Sequence, residues 1–169
     1  MDRLISYGFR RELEKQESGE EVLVFLTITH PEINDPIRVV NDPEYFVYSG
    51  NEFIGFPFNI EILRDDERPP ESRISLQNVD SRIGETLLAL VDPPRVKIEV
   101  LALSSFDTSV SPRTEIGTAS VEYSAEGLYL KDVEGTATDI SGRLVNFDFT
   151  QTVWPWPPAT QTRCPGLYK

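Results

Sequence analysis

The chain is poor in the residues that most enzymes and metal proteins rely on: one cysteine, one histidine and one methionine in 169 residues. Cys164 alone cannot close an internal disulfide, which fits a reducing compartment. One thiolate also falls far short of the four that a structural zinc or iron–sulfur site normally needs, so only an oligomer would bring several together. A serine or cysteine nucleophile paired with a histidine base would have to use His30. His30 precedes Pro31 at the end of an apolar run, far in sequence from Cys164, and reads as a turn residue. No catalytic residue, metal or cofactor is therefore expected.

Long apolar runs are missing too. No stretch approaches the roughly 18 residues of a membrane span, and mean hydropathy is −0.29. Met1-Asp2-Arg3 is not a basic region followed by an apolar core, so no signal peptide is expected. Positive charge is scarce as well: 16 Lys and Arg against 28 Asp and Glu leave a net charge of −12, and the four lysines are scattered. Binding duplex DNA through a basic patch is disfavoured, because neutralising phosphates takes clustered cations. The acids themselves define no site. Asp65-Asp66-Glu67 lacks the spaced oxygen ligands and the glycine of a calcium loop and reads as a solvated loop. No carboxylate pair stands out as one for glycoside cleavage.

What is present is a strand pattern. Val22–Thr29 (VLVFLTIT) is the clearest strand, closed by His30-Pro31. Residues 36–40 give a second, with Asn41-Asp42-Pro43 as a turn. The stretch 45–103 organises the rest. Tyr45–Tyr48 and the run Phe53–Leu63 flank a hairpin turn at Ser49-Gly50-Asn51-Glu52, where Gly50 and Asn51 tolerate positive φ. Phe56, Phe58, Ile60 and Ile62 alternate, so one face of that run is expected to be buried, with an edge or bulge at Pro57. Residues 64–71 read as a loop, and Ile74 and Leu76 mark a short strand. A helix is expected over about 80–91, capped by Asn78 or Asp80 and stopped by Pro93-Pro94, with Ile83, Leu87, Leu88 and Val91 on its apolar side. Val96, Ile98, Val100 and Ala102 then alternate in a strand.

The flanks are less regular. Residues 4–17 read as an amphipathic helix ended by Ser18-Gly19. Residues 104–113 read as a loop holding Phe106. Strands are expected at 116–123, 128–133 and 143–152, with a turn at Ser124-Ala125-Glu126-Gly127. The fold class expected is mainly β: one sandwich- or barrel-like domain over residues 1–153 with one principal helix. Residues 154–169 should form an extended arm, because Trp154-Pro155-Trp156-Pro157-Pro158 cannot continue a sheet or a helix. Trp154, Trp156, Leu167 and Tyr168 make that arm a candidate subunit interface. The alternative is that the arm folds back on its own sheet, which would bury the same rings.

Several segments together resemble DUF1833, a family of tailed-phage and prophage proteins. They are residues 20–22 leading into Leu26-Thr27-Ile28-Thr29-His30-Pro31, then Pro36–Asp42, Phe56–Ile60, Ile74–Asp80, Pro93-Pro94-Arg95-Val96, and Pro165-Gly166-Leu167-Tyr168. They follow the expected order over most of the chain. The resemblance implies a tail-tip or baseplate protein of the virion, made in the bacterial host cytoplasm, with a role like that of the minor tail proteins M and L of lambda-like phages. Its implied partners are the tube, the distal tail or hub protein, the central fibre and the tape measure. The implied assembly is a homo-oligomeric ring, a trimer or hexamer, joining tube to hub, with DNA only passing through the lumen and no membrane contact. The iron–sulfur cluster of the lambda-type L protein is held by several cysteines, so a chain with Cys164 alone does not inherit it.

Two other function classes compete. A carbohydrate-binding or host-attachment β module would use Trp154, Trp156 and exposed tyrosines to stack on sugars. A hydrolase of tail-lysozyme type would need an acid pair that the sequence does not single out.

Overall fold

The computed structural model describes residues 7, 10, 11, 14, 15, 20–60, 71–77, 81–136, 139–146 and 160–167. Within them the chain forms β1 (Val22–Thr29), β2 (Ile37–Val40), β3 (Phe46–Tyr48), β4 (Asn51–Gly55), β5 (Phe58–Ile60) and β6 (Glu71–Gln77), followed by the helix α1 (Ser81–Ala89). It continues with β7 (Arg95–Ala102), β8 (Phe106–Asp107), β9 (Arg113–Glu115), β10 (Val121–Gly135) and β11 (Asp139–Val145). Among the described elements the fold is mainly β with the helix α1, and the strands join in one mixed sheet, ordered β5-β6-β11-β10-β7-β1-β2-β4-β3-β9-β8.

A two-residue link decides the shape of that sheet. Only Phe56 and Pro57 separate β4 from β5, a reach of about 10 Å. In the strand order, however, six strands lie between them. The sheet must therefore curl until β6 comes back beside the run that starts in β4. Its first half pairs with β2 (Val39↔Ile54, Val40↔Gly55), the Phe56 N–H donates to the Val40 carbonyl at 2.9 Å, and β5 pairs with β6 (Phe58↔Leu76). Proline has no N–H to give to a ladder, which suits Pro57 to the point where the strand changes partner. The run expected at 53–63 is thus a single bent stave, and residues 61–63 lie outside the described ones.

The barrel-like curl encloses the larger core. Leu26 and Ile28 of β1, Ile74 and Leu76 of β6, Val96 and Ile98 of β7, and Ile140 and Leu144 of β11 pack together, with Ile83 and Leu87 of α1 against them. The ladder of β10 with β7 stops at Tyr129↔Arg95, yet β10 continues to Gly135 beside β11. The helix packs against this extension; a Cβ on Gly135 would lie 2.8 Å from a methyl carbon of Leu88.

A second, aromatic core lies on the other face. Leu23 and Phe25 alternate with Val24 and Leu26 along β1, so their side chains leave the opposite side of the sheet. There they join Val40, Phe46, Tyr48, Phe53, Leu101 and Phe106. Phe25 is the hub: its ring centroid lies 4.9 Å from Phe53, 5.2 Å from Tyr48, 5.5 Å from Phe106 and 5.9 Å from Phe46. The β3–β4 hairpin and strands β8 and β9 form the lid over this layer. Ser49 and Gly50 carry the positive φ of the hairpin turn (51° and 72°), so Ser49 takes the place expected of Asn51. Arg113 stands 5.4 Å from the Phe46 ring centre and pairs with Asp42 at 3.5 Å.

Several sequence expectations are corrected. The strand–turn–strand expected over 116–133 is one strand, β10, with a bulge. Between Ala125↔Ile98 and Leu128↔Val96 two residues of β10 face one of β7. Gly127 at φ 76° absorbs the extra length, as glycine does without a Cβ penalty. Ile116 lies outside β10 and is 62% exposed. The loop expected at 104–113 contains a 3₁₀ turn at Leu103–Ser105 and strand β8, and β9 starts at its end. The helix ends at Ala89, and Leu88 and Val91 are exposed rather than buried (52% and 89%). In β7 the alternation changes face: Leu101, not Val100 or Ala102, is fully buried, because the aromatic core takes it. Strand β11 starts at Asp139, earlier than expected. Tyr7, Arg10 and Arg11 are helical. The proposed caps Asn78 and Asp80 and the acidic run 65–67 lie outside the described residues.

Three stability predictions follow from this packing. Phe25→Ala should cost about 3–5 kcal/mol in chemical denaturation, and Tyr45→Ala, truncating a side chain that is 48% exposed, should be near neutral. If Phe25→Ala leaves too little folded protein to measure, Phe25→Leu should give a smaller loss of the same sign. Gly55→Ala should cost about 1–3 kcal/mol, because its Cβ would sit 2.5 Å from the Glu44 carbonyl oxygen and 2.6 Å from Pro43 backbone atoms, none of which can rotate away. Alkaline pH should destabilise the fold. Burial, then the Glu99 carboxylate, raises the Tyr48 phenol above its ordinary 10.0. Hydrogen bonding to Glu126 raises Lys97 above 10.5. Both groups hold their proton longer folded than unfolded, so their contribution is complete below about pH 10 and is lost as pH rises through the folded values. A pH titration of denaturation midpoints checks the sign.

Candidate functional site

Two clefts flank the turn where α1 returns to the sheet through Val91-Asp92-Pro93-Pro94. On one side of this turn lies a cleft of about 470 Å³. Leu87, Leu88, Leu90 and Val91 face Leu130 and Val133 of β10 across it, with Asp92, Lys131 and Asp132 at the rim. On the other side a cleft of about 630 Å³ lies between the β1–β2 connection and the start of β7. Pro31, Ile33, Pro36 and Pro93 supply its apolar walls; Thr29, His30, Asn34, Asp92, Arg95 and Tyr129 supply polar groups. Local sequence explains both walls. Each diproline or His-Pro step ends a regular element and leaves a stiff shoulder without an N–H to hide.

The second cleft contains the one histidine, and its geometry is that of a turn. The Glu32 N–H donates to His30 Nδ1 at 3.1 Å, and the Ile33 N–H donates to the His30 carbonyl at 3.0 Å. In a catalytic triad Nδ1 carries the proton that a carboxylate holds in place; here Nδ1 is an acceptor. The turn reading of His30 agrees with its position.

The other polar clusters are local. Ser109 donates to Asp107 through its hydroxyl (2.6 Å) and its N–H (2.9 Å), and these bonds hold the Asp107 carboxyl below its ordinary value. Lys97 bridges Glu99 and Glu126 at 3.1 and 3.0 Å. Among the described residues no three His, Cys, Asp or Glu side chains are grouped to hold a metal ion.

Of the four interface candidates on the arm, Leu167 is described, and it is 73% exposed. Trp154, Trp156 and Tyr168 lie outside the described residues. Over 160–167 the chain is turned rather than extended: the Arg163 and Cys164 N–H groups donate to the Thr160 carbonyl, and Pro165–Leu167 forms a 3₁₀ turn. Cys164 is a free, half-buried thiol there.

The clefts themselves escaped sequence reasoning. Thr29, Arg95 and Tyr129 are neighbours only through the ladders β1–β7 and β7–β10, and pairing between strands so far apart in sequence has no local signal. The segments 26–31 and 93–96 were visible individually; their meeting was not.

Comparison with curated proteins finds no match. Residues 8–157 match the family described as "Domain of unknown function (DUF1833)". That span includes all eleven strands and the helix α1, and the chain belongs to the DUF1833 family.

Proposed function

We propose that the chain is a structural component of a phage or prophage tail tip or baseplate, a subunit of a ring joining the tail tube to the hub and central fibre. The observation that carries this reading is the exposure of large apolar side chains on the segments flanking the barrel. Tyr7, before β1, is 83% exposed, and Leu167, after β11, is 73% exposed. Leu88, Val91 and Ile116 between the strands are exposed as well (52%, 89% and 62%), and exposed apolar surface of this kind supports pairing with a neighbour. The resemblance to tail proteins points the same way. So does a closed polar geometry at His30, which favours scaffold over catalyst. A surface of net charge −12 would keep DNA from adhering as it passes through the lumen.

One observation favours a second reading, a saccharide-binding module. Tyr129 lines the larger cleft together with Asn34, Asp92 and Arg95, an aromatic ring beside planar hydrogen-bonding groups. A glycan array with the wild-type chain separates the two. Saturable binding that Tyr129→Ala abolishes would favour the module; no binding together with self-association favours the ring.

The arm gives the sharper test. Removing residues 154–169 should reduce assembly, read by light scattering, while the shortened chain keeps its melting transition. Normal assembly without the arm, or an unfolded product, would contradict an intermolecular arm.

A further inference from the structure

The fold gathers cations that the sequence scatters. Arg73 on β6 pairs in register with Arg143 on β11, and Arg143 pairs with Lys131 on β10. Their neighbours Ile74, Leu144 and Leu130 are buried in the barrel core, so the three cationic side chains leave the opposite, outer face. All three residues are exposed. One step along the strands, Tyr129 is in register with Arg95 on β7, which is also exposed and on the outer face. Backbones of Arg73 and Lys131 are about 10 Å apart at two strand spacings. Four cations thus share one strip, with the exposed acids Asp132 and Glu134 of β10 beside it, on a chain whose net charge is −12.

Such a row opposes folding. Like charges directly opposite on paired strands destabilise a sheet. Arg143, in the middle, has Asp132 at 3.3 Å, both side chains largely in solvent. Arg73 and Lys131 form no ion pair among the described residues. A row of this kind is suited to an anionic partner. The other end of the strand order supplies one. Residues 41–55 and 103–120, which carry β3, β4, β8 and β9, hold five acidic residues and one basic residue, Arg113, which already pairs with Asp42. Glu44 and Glu52 are exposed there. In the strand order β7, β1 and β2 lie between this acidic end and the basic row, and where the sheet curls back β5 lies between β4 and β6.

We infer that the Arg73–Arg143–Lys131 row docks on the acidic β3–β4–β9 end of a second copy of the chain, a head-to-tail contact held by charge complementarity. Two different surfaces meeting head to tail form a ring when the rotation closes, so this inference rests on the ring reading and supplies its contact. Steering by opposite patches also sets register and orientation.

The full-length chain tests this by sedimentation across a concentration series, with Arg73→Glu/Lys131→Glu and Glu44→Lys/Glu52→Lys as paired variants. All four positions are exposed, and the melting transition of each variant verifies folding. Association should weaken about tenfold or more between about 0.05 and 0.5 M salt. Each double variant alone should fail to associate where the wild type does, and mixing the two should restore association. Wild-type association that ignores salt and survives both variants would overturn this contact while leaving the ring reading in place. A wild type that stays monomeric at every concentration would overturn both. Retention of duplex DNA by the wild type, lost in Arg73→Glu/Lys131→Glu, would overturn the protein partner in favour of nucleic acid.

Discussion

Everything in this structure depends on β1 being buried from both sides. Its ladder with β7 runs in register from Val22↔Ala102 to Thr29↔Arg95, and its two faces serve different cores. Leu26 and Ile28 point into the barrel, whereas Leu23 and Phe25 point into the aromatic layer. A strand so placed cannot slip by one residue, since a slip would exchange every side chain between the two cores. The curl of the sheet, the β3–β4 hairpin over Phe25 and the position of α1 all build on that fixed register. Asn41 extends the clamp: its side-chain oxygen accepts the Val24 N–H at 2.6 Å, and its own N–H donates to the Val24 carbonyl at 3.1 Å. The edge of β1 beyond β2 is thereby closed without another strand.

Much of this was legible in the sequence where burial is one-sided or complete over a short run. VLVFLTIT announces β1, Gly50 announces the hairpin turn, and the helix and the strand after the diproline are visible, although the helix already ends at Ala89. The misreadings share one cause. Where a strand changes which face it buries, or bulges, period-two reasoning fails. Leu101 belongs to a different core from Ile98, and Glu126-Gly127 mimic a turn while lying inside a strand. The helix was extended to Val91 because apolar spacing does not distinguish a buried residue from one lining an open cleft. Phe106 could be seen as apolar, but nothing local shows that it stacks on Phe25. The basic row was the least legible feature, since Arg73, Arg143 and Lys131 come together only through two antiparallel registers.

The functional reading follows the same division. Chemistry was judged from scarcity, and the one histidine sits where it does structural work: His30 closes a turn. What the chain has in abundance is surface of a particular design. It has a curled sheet with a core on each face, exposed apolar side chains on and beside it, a shelf of clefts around Pro93, and a short basic row on a largely acidic chain. Proteins built to be stacked and joined need this kind of surface, because their contacts must be numerous, oriented and reversible during assembly. A binding module needs one well-furnished pocket instead, and among the described residues the larger cleft beside Tyr129 is a place where such a role could be located.

The central claim is self-association into a closed ring. Electron microscopy of the purified full-length chain at low salt examines it directly. The account predicts particles of one size with three- or six-fold symmetry and an open centre. Particles no larger than one 19.2 kDa chain at every concentration, or filaments of indefinite length, would contradict it.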